Sequence, residues 1–406
     1  MKYAASRLAV VQPSASMAVS GMAKALTDEG HDVIDLGLGE PDFDTPAHIV
    51  EAAHAAALAG KTRYEPTGGA PELKQAIARK LARENDLTYA PDEIIVSNGA
   101  KQVIYNALMA TLEPGEEVMH CAPYFDIYKT ITLVLGGVPK ILSCSAADGF
   151  RLTPEALEQA IGESTRWLLL NSPSNPAGAT YDKVQLAALG EVLARHPQVF
   201  VLADEIYEHI IFEDQPFTSF ATACTDLRDR TLMVNGVSKA FAMTGWRIGY
   251  GAGPRELINA MTTVQSQVTS GACAIAQAAA AAALDGPQDD VRRFREAFER
   301  RRNLVVAEAE KIPGLTLAPP GGAFYTFIGC EEFIGATAHD GTVIEDDIGF
   351  AKYLLNEGKV AAVPGSAYGL SPFIRFSTAT SDEKLSQAMT RMADCLSKLT
   401  TSPSRN

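Results

Sequence analysis

Short apolar runs alternate with helical segments through the middle of the chain. The runs, each ending in polar, glycine or proline residues, are EEVMHCAPYF, VPKILSC, RWLLLNSPSNPAG, VFVLADEIYEHIIF and TLMVNGVSK. A strand that is apolar throughout is buried on both faces, and helices between such strands cover the faces of a parallel sheet. The pattern therefore predicts an α/β fold whose large domain holds a mainly parallel sheet flanked by helices.

A long charged helix is predicted from Asp289 to Ile312, where apolar residues recur on one side and Pro313-Gly314 ends the helical pattern. After it, GGAFYTFIG, KVAAVPGSAYG and PFIRFSTA are typical of strands, and Asp382 to Leu399 is typical of a helix. We therefore expect a second, smaller α+β domain that the long helix joins to the first.

Composition argues against several classes of function. A formal net charge of −14 disfavours nucleic acid and anionic membranes as partners. The six cysteines form no CxxC pair and the seven histidines are dispersed, so we expect neither a disulfide framework nor a bound metal. The N-terminal stretch lacks the apolar core of a signal peptide, and the most apolar tract, 274–284, is too short to span a bilayer. These features predict a soluble, cytoplasmic protein.

Polar residues with different chemistry follow four predicted strands, which are three of the runs above and the short apolar run EIIV before Ser97. In parallel α/β sheets, ligands bind beyond the carboxyl ends of the strands. The residues at those ends are Gly99, Ala100 and Lys101 at a helix start, Asn175 in a proline turn, Asp204 with Tyr207, and Lys239 with Arg247. Taken singly, the helix start need bind nothing, the turn is an ordinary one, and the lysine extends its amine toward solvent.

Pyridoxal 5'-phosphate is a ligand that needs all four groups. Its aldehyde reacts with a lysine amine, its ring nitrogen stays protonated beside a carboxylate, and its phosphate needs donors such as the N–H groups at a helix N-terminus. Its phenolic oxygen accepts hydrogen bonds, which Asn175 and Tyr207 can supply. Lys239 has no acidic residue within eight positions, so no sequence neighbour raises its pKa. The four strand ends together predict a site for this cofactor.

Seven ordered blocks make the chain resemble the fold type I pyridoxal-phosphate aminotransferases of class I and II, close to the bacterial aspartate aminotransferases. The blocks are LGLGEPDFDTP, KTRY, NSPSNPAG, DEIYE, VSKAFAMTGWRIGY, GGAFY and RFSTAT, and the resemblance covers nearly the whole chain. It implies a large cofactor-binding domain over residues 46–299 and a small domain formed by residues 1–45 and 300–406. It also implies a homodimer with shared active sites.

The resemblance gives each matching residue an expected role. Lys239 would hold the cofactor and move a proton, Asp204 would pair with the ring nitrogen, and Tyr207 would bind the phenolic oxygen. The expected cofactor ligands further include Asn175, Gly99, Ala100, Ser238, Arg247, Phe125 stacked on the ring, and Tyr64 from a second subunit. The expected substrate ligands are Arg375, Asn175 and Gly39 for the α-carboxylate, and Lys101, Ser14 and Ser16 for a distal carboxylate.

The implied reaction moves an amino group from L-aspartate, or a related L-amino acid, to 2-oxoglutarate by ping-pong chemistry. Several positions depart from the usual pattern of the family. Phe125 replaces Trp, Ser16 replaces Thr, Gly236 replaces a common phosphate-binding Ser, and the segment 269–277 differs from its more frequent form. Gln12 stands where members that also accept prephenate commonly carry Lys or Arg, which argues against that activity.

These departures leave other reactions of the same scaffold open. They are the transamination of aromatic, alanine-type or branched-chain amino acids, and Cβ–S lyase chemistry. A non-catalytic sensor that binds the same cofactor to control transcription is a further alternative. Such sensors carry a DNA-binding module before the domain, whereas here about a dozen residues precede the matching region and the acidic charge suits DNA badly.

Overall fold

The computed structural model describes residues 3–11 and 14–400, so Gln12 lies outside the described residues. The helices are α1 Ala15–Asp28, α2 Ala47–Leu58, α3 Pro71–Glu84, α4 Ala100–Thr111, α5 Ile127–Val134, α6 Pro154–Ala160, α7 Lys183–Ala194, α8 Phe220–Ala223, α9 Arg255–Val268, α10 Ala274–Asp285, α11 Asp289–Ala309, α12 Asp347–Tyr353 and α13 Asp382–Leu396. The strands are β1 Ile34–Asp35, β2 Ile94–Ser97, β3 Glu117–Ala122, β4 Val138–Ser143, β5 Thr165–Asn171, β6 Phe200–Asp204, β7 Thr231–Gly236, β8 Gly249–Ala252, β9 Tyr325–Gly329, β10 Val360–Ala361, β11 Val363–Pro364 and β12 Phe373–Ser377.

A seven-stranded sheet with the order β2-β8-β7-β6-β5-β3-β4 forms the centre of the molecule. Strand β8 is antiparallel to both of its neighbours, and the other strand pairs of this sheet are parallel. The predicted α/β fold with a mainly parallel sheet is therefore confirmed. Because β8 runs the opposite way, its first residues lie at the same edge as the carboxyl ends of the other strands.

Helices cover both faces of this sheet, as the continuous apolar strands predict. Alternate residues of β2 point to opposite faces. Ile94 and Val96 belong to the core built with α2, α3 and α10, and Ile95 belongs to the core built with α4 and α9. The sheet is thus buried between two helical layers, and its polar edge is left to carry chemistry.

A smaller unit is built from both ends of the described chain. Strand β1 pairs in parallel with β10, and β11, β12 and β9 form an antiparallel sheet. Ile34 and Leu36 pack in one apolar core with residues of α11, α12 and α13. The predicted small domain, formed by residues 1–45 and 300–406, requires an N-terminal segment to associate with the C-terminal part in this way. Its boundaries at 45/46 and 299/300 stay a prediction.

Two predicted helix ends differ slightly from the observed ones. Helix α11 ends at Ala309 and α13 ends at Leu396, each three residues before its predicted end. In α11 the turn before Pro313 already leaves helical hydrogen bonding, and Gly314 follows with a φ of +90°. No helix among residues 3–11 and 14–400 is both long and apolar enough to cross a membrane.

Candidate active site

The predicted site residues meet at one edge of the seven-stranded sheet. Asp204 is the last residue of β6, Asn175 follows β5, and Lys239 follows β7. Ala100 begins α4 just after β2, and Arg247 lies two residues before the antiparallel β8. The sheet topology therefore brings to one place residues that are far apart in the sequence.

Lys239 is half-buried at the centre of this edge. Its Nζ donates to the carbonyl oxygen of Gly39 at 2.6 Å. Burial, together with the positive charges of Arg375 and Arg247, lowers the pKa of Lys239 to about 8 against the opposing effect of Glu40 and Asp204. A substantial fraction of this amine is consequently neutral near physiological pH, which a nucleophile toward a carbonyl requires.

Asp204 is buried and has neutral hydrogen-bond partners. Its Oδ2 accepts from the hydroxyl of Tyr128 at 2.6 Å, and its Oδ1 accepts from the backbone N–H of Ile206 at 3.2 Å. Burial raises the pKa of Asp204, while these two hydrogen bonds and the charge of Lys239 act to lower it. A buried carboxylate of this kind is stabilised by a cation, which a protonated ring nitrogen would provide.

Tyr128 is a site residue that the sequence analysis missed. It lies on the first turn of α5, and its ring meets Phe125 edge to face with centroids 5.6 Å apart. The signal was present in the sequence, because Tyr128 lies only three positions after Phe125, and its backbone N–H donates to the Phe125 carbonyl oxygen at 3.0 Å. A phenol placed three residues after the expected stacking residue could therefore have been assigned to the site.

A pocket for an anion lies where β2 turns into α4. Gly99 precedes the helix with a φ of +87°, and a Cβ at this position would lie 2.4 Å from Nη2 of Arg247. Only glycine permits both this conformation and this close approach. The Arg247 guanidinium, which donates to the carbonyl oxygen of Thr244 at 2.9 Å, is thus held beside the N–H groups that open α4. A phosphate is the ligand such a pair of donors favours.

The structure explains why glycine occupies position 236. A Cβ at Gly236 would lie 2.9 Å from the carbonyl oxygen of Ile248 and 3.0 Å from the Cα of Gly249. A serine side chain has no room there unless these neighbours shift. Ser238, the predicted replacement, is buried beside Lys239, and its carbonyl oxygen accepts from the N–H of Met243 at 3.2 Å.

Arg375 on β12 supplies a buried guanidinium opposite Lys239. The side chain is 2% exposed, and its Nη1 donates to Oδ1 of Asn175 at 3.1 Å. Its Nη2 donates to the carbonyl oxygen of Gly37 at 2.6 Å and to Oγ of Ser16 at 3.2 Å. Its Nε has no hydrogen-bond partner among the described residues. No carboxylate among residues 3–11 and 14–400 pairs with this guanidinium, so it can take one from a ligand.

Aromatic rings connect Arg375 to Tyr207. The guanidinium lies 4.5 Å from the ring centre of Tyr325 and 5.1 Å from that of Tyr368. The hydroxyls of Tyr325 and Tyr207 are 2.9 Å apart, and both residues are buried. Tyr325 ends the GGAFY block, and no role was expected for it from the sequence.

The remaining predicted residues lie at the periphery. Phe125 is half-buried, and Nζ of the exposed Lys101 lies 5.8 Å from its ring centre. Ser16 reaches the site, since its Oγ is 3.2 Å from the Tyr368 hydroxyl. Ser14 is exposed before α1 and makes no capping hydrogen bond.

Tyr64 is 97% exposed. No hydrogen bond or ring contact of the described residues joins it to Lys239 or Arg247. It lies in a cleft bordered by residues 61–65 and 269–275, and Cys273 and Ile275 of that cleft also border the cleft beside Arg247. The segment 269–277, which departs from the common family pattern, therefore adjoins the site.

The chain is similar to known proteins over most of its length. The family described as aminotransferase class I and II matches residues 31–392. An aspartate aminotransferase of Rhizobium meliloti (strain 1021) is 51% identical over 395 residues, which cover 97% of this chain and 96% of the relative. An aspartate/prephenate aminotransferase of Cereibacter sphaeroides is 52% identical over 392 residues, with coverage of 97% and 98%.

Solved structures agree with these sequence matches. The crystal structure of the aspartate aminotransferase from Rhizobium meliloti superposes with a TM-score of 0.96 at 50% identity and covers 98% of this chain and 100% of that one. The Thermus thermophilus aspartate aminotransferase with maleate gives 0.90 at 40% identity, with coverage of 97% and 100%.

Proposed function

The chain belongs to the family of class I and II aminotransferases, and from that premise we propose that it binds pyridoxal 5'-phosphate and moves an amino group from L-aspartate to 2-oxoglutarate. The resemblance to fold type I aminotransferases, drawn from seven sequence blocks, is confirmed by these matches. The donor is supported by the names of relatives about half identical to this chain. The acceptor is inferred because a second dicarboxylate can use the same cations.

One observation carries the cofactor proposal: a lysine with a pKa lowered to about 8 lies at the same sheet edge as a buried carboxylate whose hydrogen-bond partners, in the described part of the chain, are neutral. The glycine-lined anion pocket at Gly99 and Arg247 completes the set. The residues present therefore fit the aldehyde, the ring nitrogen and the phosphate of the cofactor, respectively.

When bound, the cofactor accepts the amino group and stabilises negative charge at the substrate α-carbon. The chain's own residues hold and orient it. We assign Asp204 to keep the ring nitrogen protonated, and Asn175 and Tyr207 to donate to the phenolic oxygen. The remaining ligands in this proposal are Gly99, Ala100, Ser238 and Arg247 at the phosphate, with Phe125 against the ring.

Lys239 has a second task in this proposal. With its amine free, Lys239 would take the proton from the substrate α-carbon on Nζ and deliver it again within the site. The carbonyl oxygen of Gly39 lies 2.6 Å from Nζ and can hold the amine in place for this transfer. A pKa near 8 suits a group that must gain and lose a proton in each cycle.

Substrate binding is assigned to the opposite side of the site. Arg375 would bind the α-carboxylate through its guanidinium, with Asn175 and the backbone of Gly39 nearby. Lys101, Ser14 and Ser16 would bind the distal carboxylate, and Lys101 supplies the positive charge in this group. Prephenate, named for the Cereibacter relative, is the second acceptor to test.

A homodimer with shared sites is part of the proposal. A tyrosine that is 97% exposed in one chain leaves its hydroxyl available to a second. We assign Tyr64 to the phosphate of the partner subunit's cofactor. The cytoplasmic location stays a prediction from the cysteine pattern.

The test is the visible spectrum of the cofactor-loaded protein, recorded with L-aspartate and without a keto acid. We expect aspartate to bleach the visible band of the Lys239-bound cofactor, and 2-oxoglutarate to restore it. A band that L-alanine or L-phenylalanine bleaches and L-aspartate does not would overturn the donor assignment.

Lys101→Ala provides the matched control for the distal carboxylate. Removal of the Lys101 ammonium should raise the aspartate concentration needed for half-bleaching by about tenfold or more. The alanine concentration needed for half-bleaching should stay within about twofold, since alanine has no second carboxylate. Equal losses for both amino acids would remove Lys101 from its assigned role.

A further inference from the structure

Tyr325 contacts three parts of the site at once. Its hydroxyl is 2.9 Å from that of Tyr207, and its ring centre lies 4.5 Å from the Arg375 guanidinium. It also adjoins the backbone of Gly39, because a Cβ on that glycine would lie 2.8 Å from the Tyr325 hydroxyl. The side chain is 2% exposed, so these contacts are shielded from bulk solvent.

Either hydroxyl of Tyr207 and Tyr325 could donate the hydrogen bond between them, and the bound cofactor would decide which one does. Tyr207 has one hydroxyl proton, and under the proposed function Tyr207 uses it to donate a hydrogen bond to the phenolic oxygen of the cofactor. The bond between the two tyrosines must then use the proton of Tyr325. A hydroxyl that accepts one hydrogen bond becomes a stronger donor of the next, because the bonds polarise one another.

We propose that Tyr325 is a positioning residue that strengthens the hydrogen bond from Tyr207 to the cofactor and, through its ring, holds the Arg375 guanidinium for the substrate carboxylate. The proposal rests on the proposed function, since Tyr207 and Arg375 take their roles from it. Tyr325 need not touch a reacting atom, as its hydroxyl acts through Tyr207 and its ring through Arg375.

Two variants separate the two contacts. Tyr325→Phe removes the hydroxyl and keeps a ring against Arg375, whereas Tyr325→Leu removes both. The readouts are the pH titration of the visible band of the cofactor-loaded protein and the dissociation constant of maleate, a dicarboxylate that has no amino group to transfer. Neither readout is a rate of turnover, so a general loss of activity does not imitate the expected pattern.

The hydroxyl contact predicts a shift of the band titration. A weaker hydrogen bond leaves more negative charge on the phenolic oxygen, which favours the protonated lysine nitrogen. In Tyr325→Phe the midpoint should therefore rise by about half a pH unit to one unit. In a Tyr207→Phe background the same change should have no further effect, because the residue through which it acts is gone.

The ring contact predicts a loss of carboxylate affinity. Tyr325→Phe should bind maleate within about twofold of the wild type, and Tyr325→Leu should bind it about 5- to 30-fold more weakly, the range of a desolvated cation–π contact. Tyr353→Phe is the matched control, since Tyr353 is a buried tyrosine whose hydroxyl donates to the carbonyl oxygen of Cys395 at 2.8 Å, within the smaller unit. It should leave both readouts unchanged.

The outcomes distinguish this inference from the proposed function. A wild-type protein with no pH-dependent visible band on addition of the cofactor would end the proposed function itself. A normal wild-type band that is unchanged in Tyr325→Phe, or shifted equally with and without the Tyr207 hydroxyl, would overturn the inference alone. If Tyr325→Leu does not fold, the pH titration of the visible band in Tyr325→Phe, with and without Tyr207→Phe, still tests the part of the proposal that concerns the Tyr325 hydroxyl.

Discussion

The chemistry of the site depends first on the ionisation of Lys239. Its ammonium form is disfavoured because burial removes water from the charge and because two guanidinium groups repel it. Glu40 and Asp204 oppose this effect without cancelling it, so the pKa falls from the ordinary 10.5 to about 8. The sequence places no acid within eight positions of this lysine, whereas the fold brings Glu40 and Asp204 near it and lets burial and the two guanidinium groups outweigh them.

The lowered pKa predicts how fast the protein without cofactor takes up pyridoxal 5'-phosphate at different pH values. The neutral amine is the reacting form, so the rate constant should rise about tenfold per pH unit below the pKa and level off above about 8. Stopped-flow absorbance measures it, with Lys239→Ala as the control that forms no covalent band. A plateau reached only near 10.5 would show that burial does not lower this pKa.

At the scale of elements, the site exists because strand ends converge. The apolar runs predicted β3 to β7 and the mainly parallel sheet, and hence the edge at which Asp204 and Lys239 meet. Strand β8 was not predicted, since the four residues GYGA contain two glycines and no β-branched side chain. Its glycines allow close packing: a Cβ at Gly249 would lie 2.1 Å from the backbone nitrogen of Ala100.

Pairs formed across the fold could not be read from the sequence. Tyr128 and Asp204 are 76 positions apart, and Tyr207 and Tyr325 are 118 apart, so no local periodicity links them. Arg375 was assigned because it matches a family motif, and Lys239 because it follows a predicted strand, whereas the partners that orient them depend on tertiary packing. Sequence reasoning therefore found the groups expected to touch ligands and missed the tyrosines that hold them.

At the scale of the whole molecule, the site joins the two units of the chain. Arg375 belongs to the small antiparallel sheet, and it donates to Asn175 beside the large sheet and to Gly37 near the N-terminal end. A bound dicarboxylate would add further contacts across the same boundary. Tyr64, by contrast, faces away from its own chain with 97% of its surface exposed.

The proposed dimer with shared sites predicts complementation between two inactive variants. In that dimer, Tyr64→Ala and Lys239→Ala, unfolded together and reassembled, would form mixed dimers with one intact site each, because the lysine and the tyrosine of that site would come from different subunits. Random pairing should restore about a quarter of wild-type activity in the equimolar mixture. No recovery above the sum of the separate variants would place both residues in one subunit's site.

The central claim is that Lys239 at this sheet edge holds pyridoxal 5'-phosphate and releases it to L-aspartate. The most direct measurement is to load the protein with the cofactor, reduce it with borohydride, and locate the label by peptide mass spectrometry. The account predicts a label on Lys239 that disappears when L-aspartate is added before reduction. A label on another lysine, or one on Lys239 that aspartate leaves in place, would contradict it.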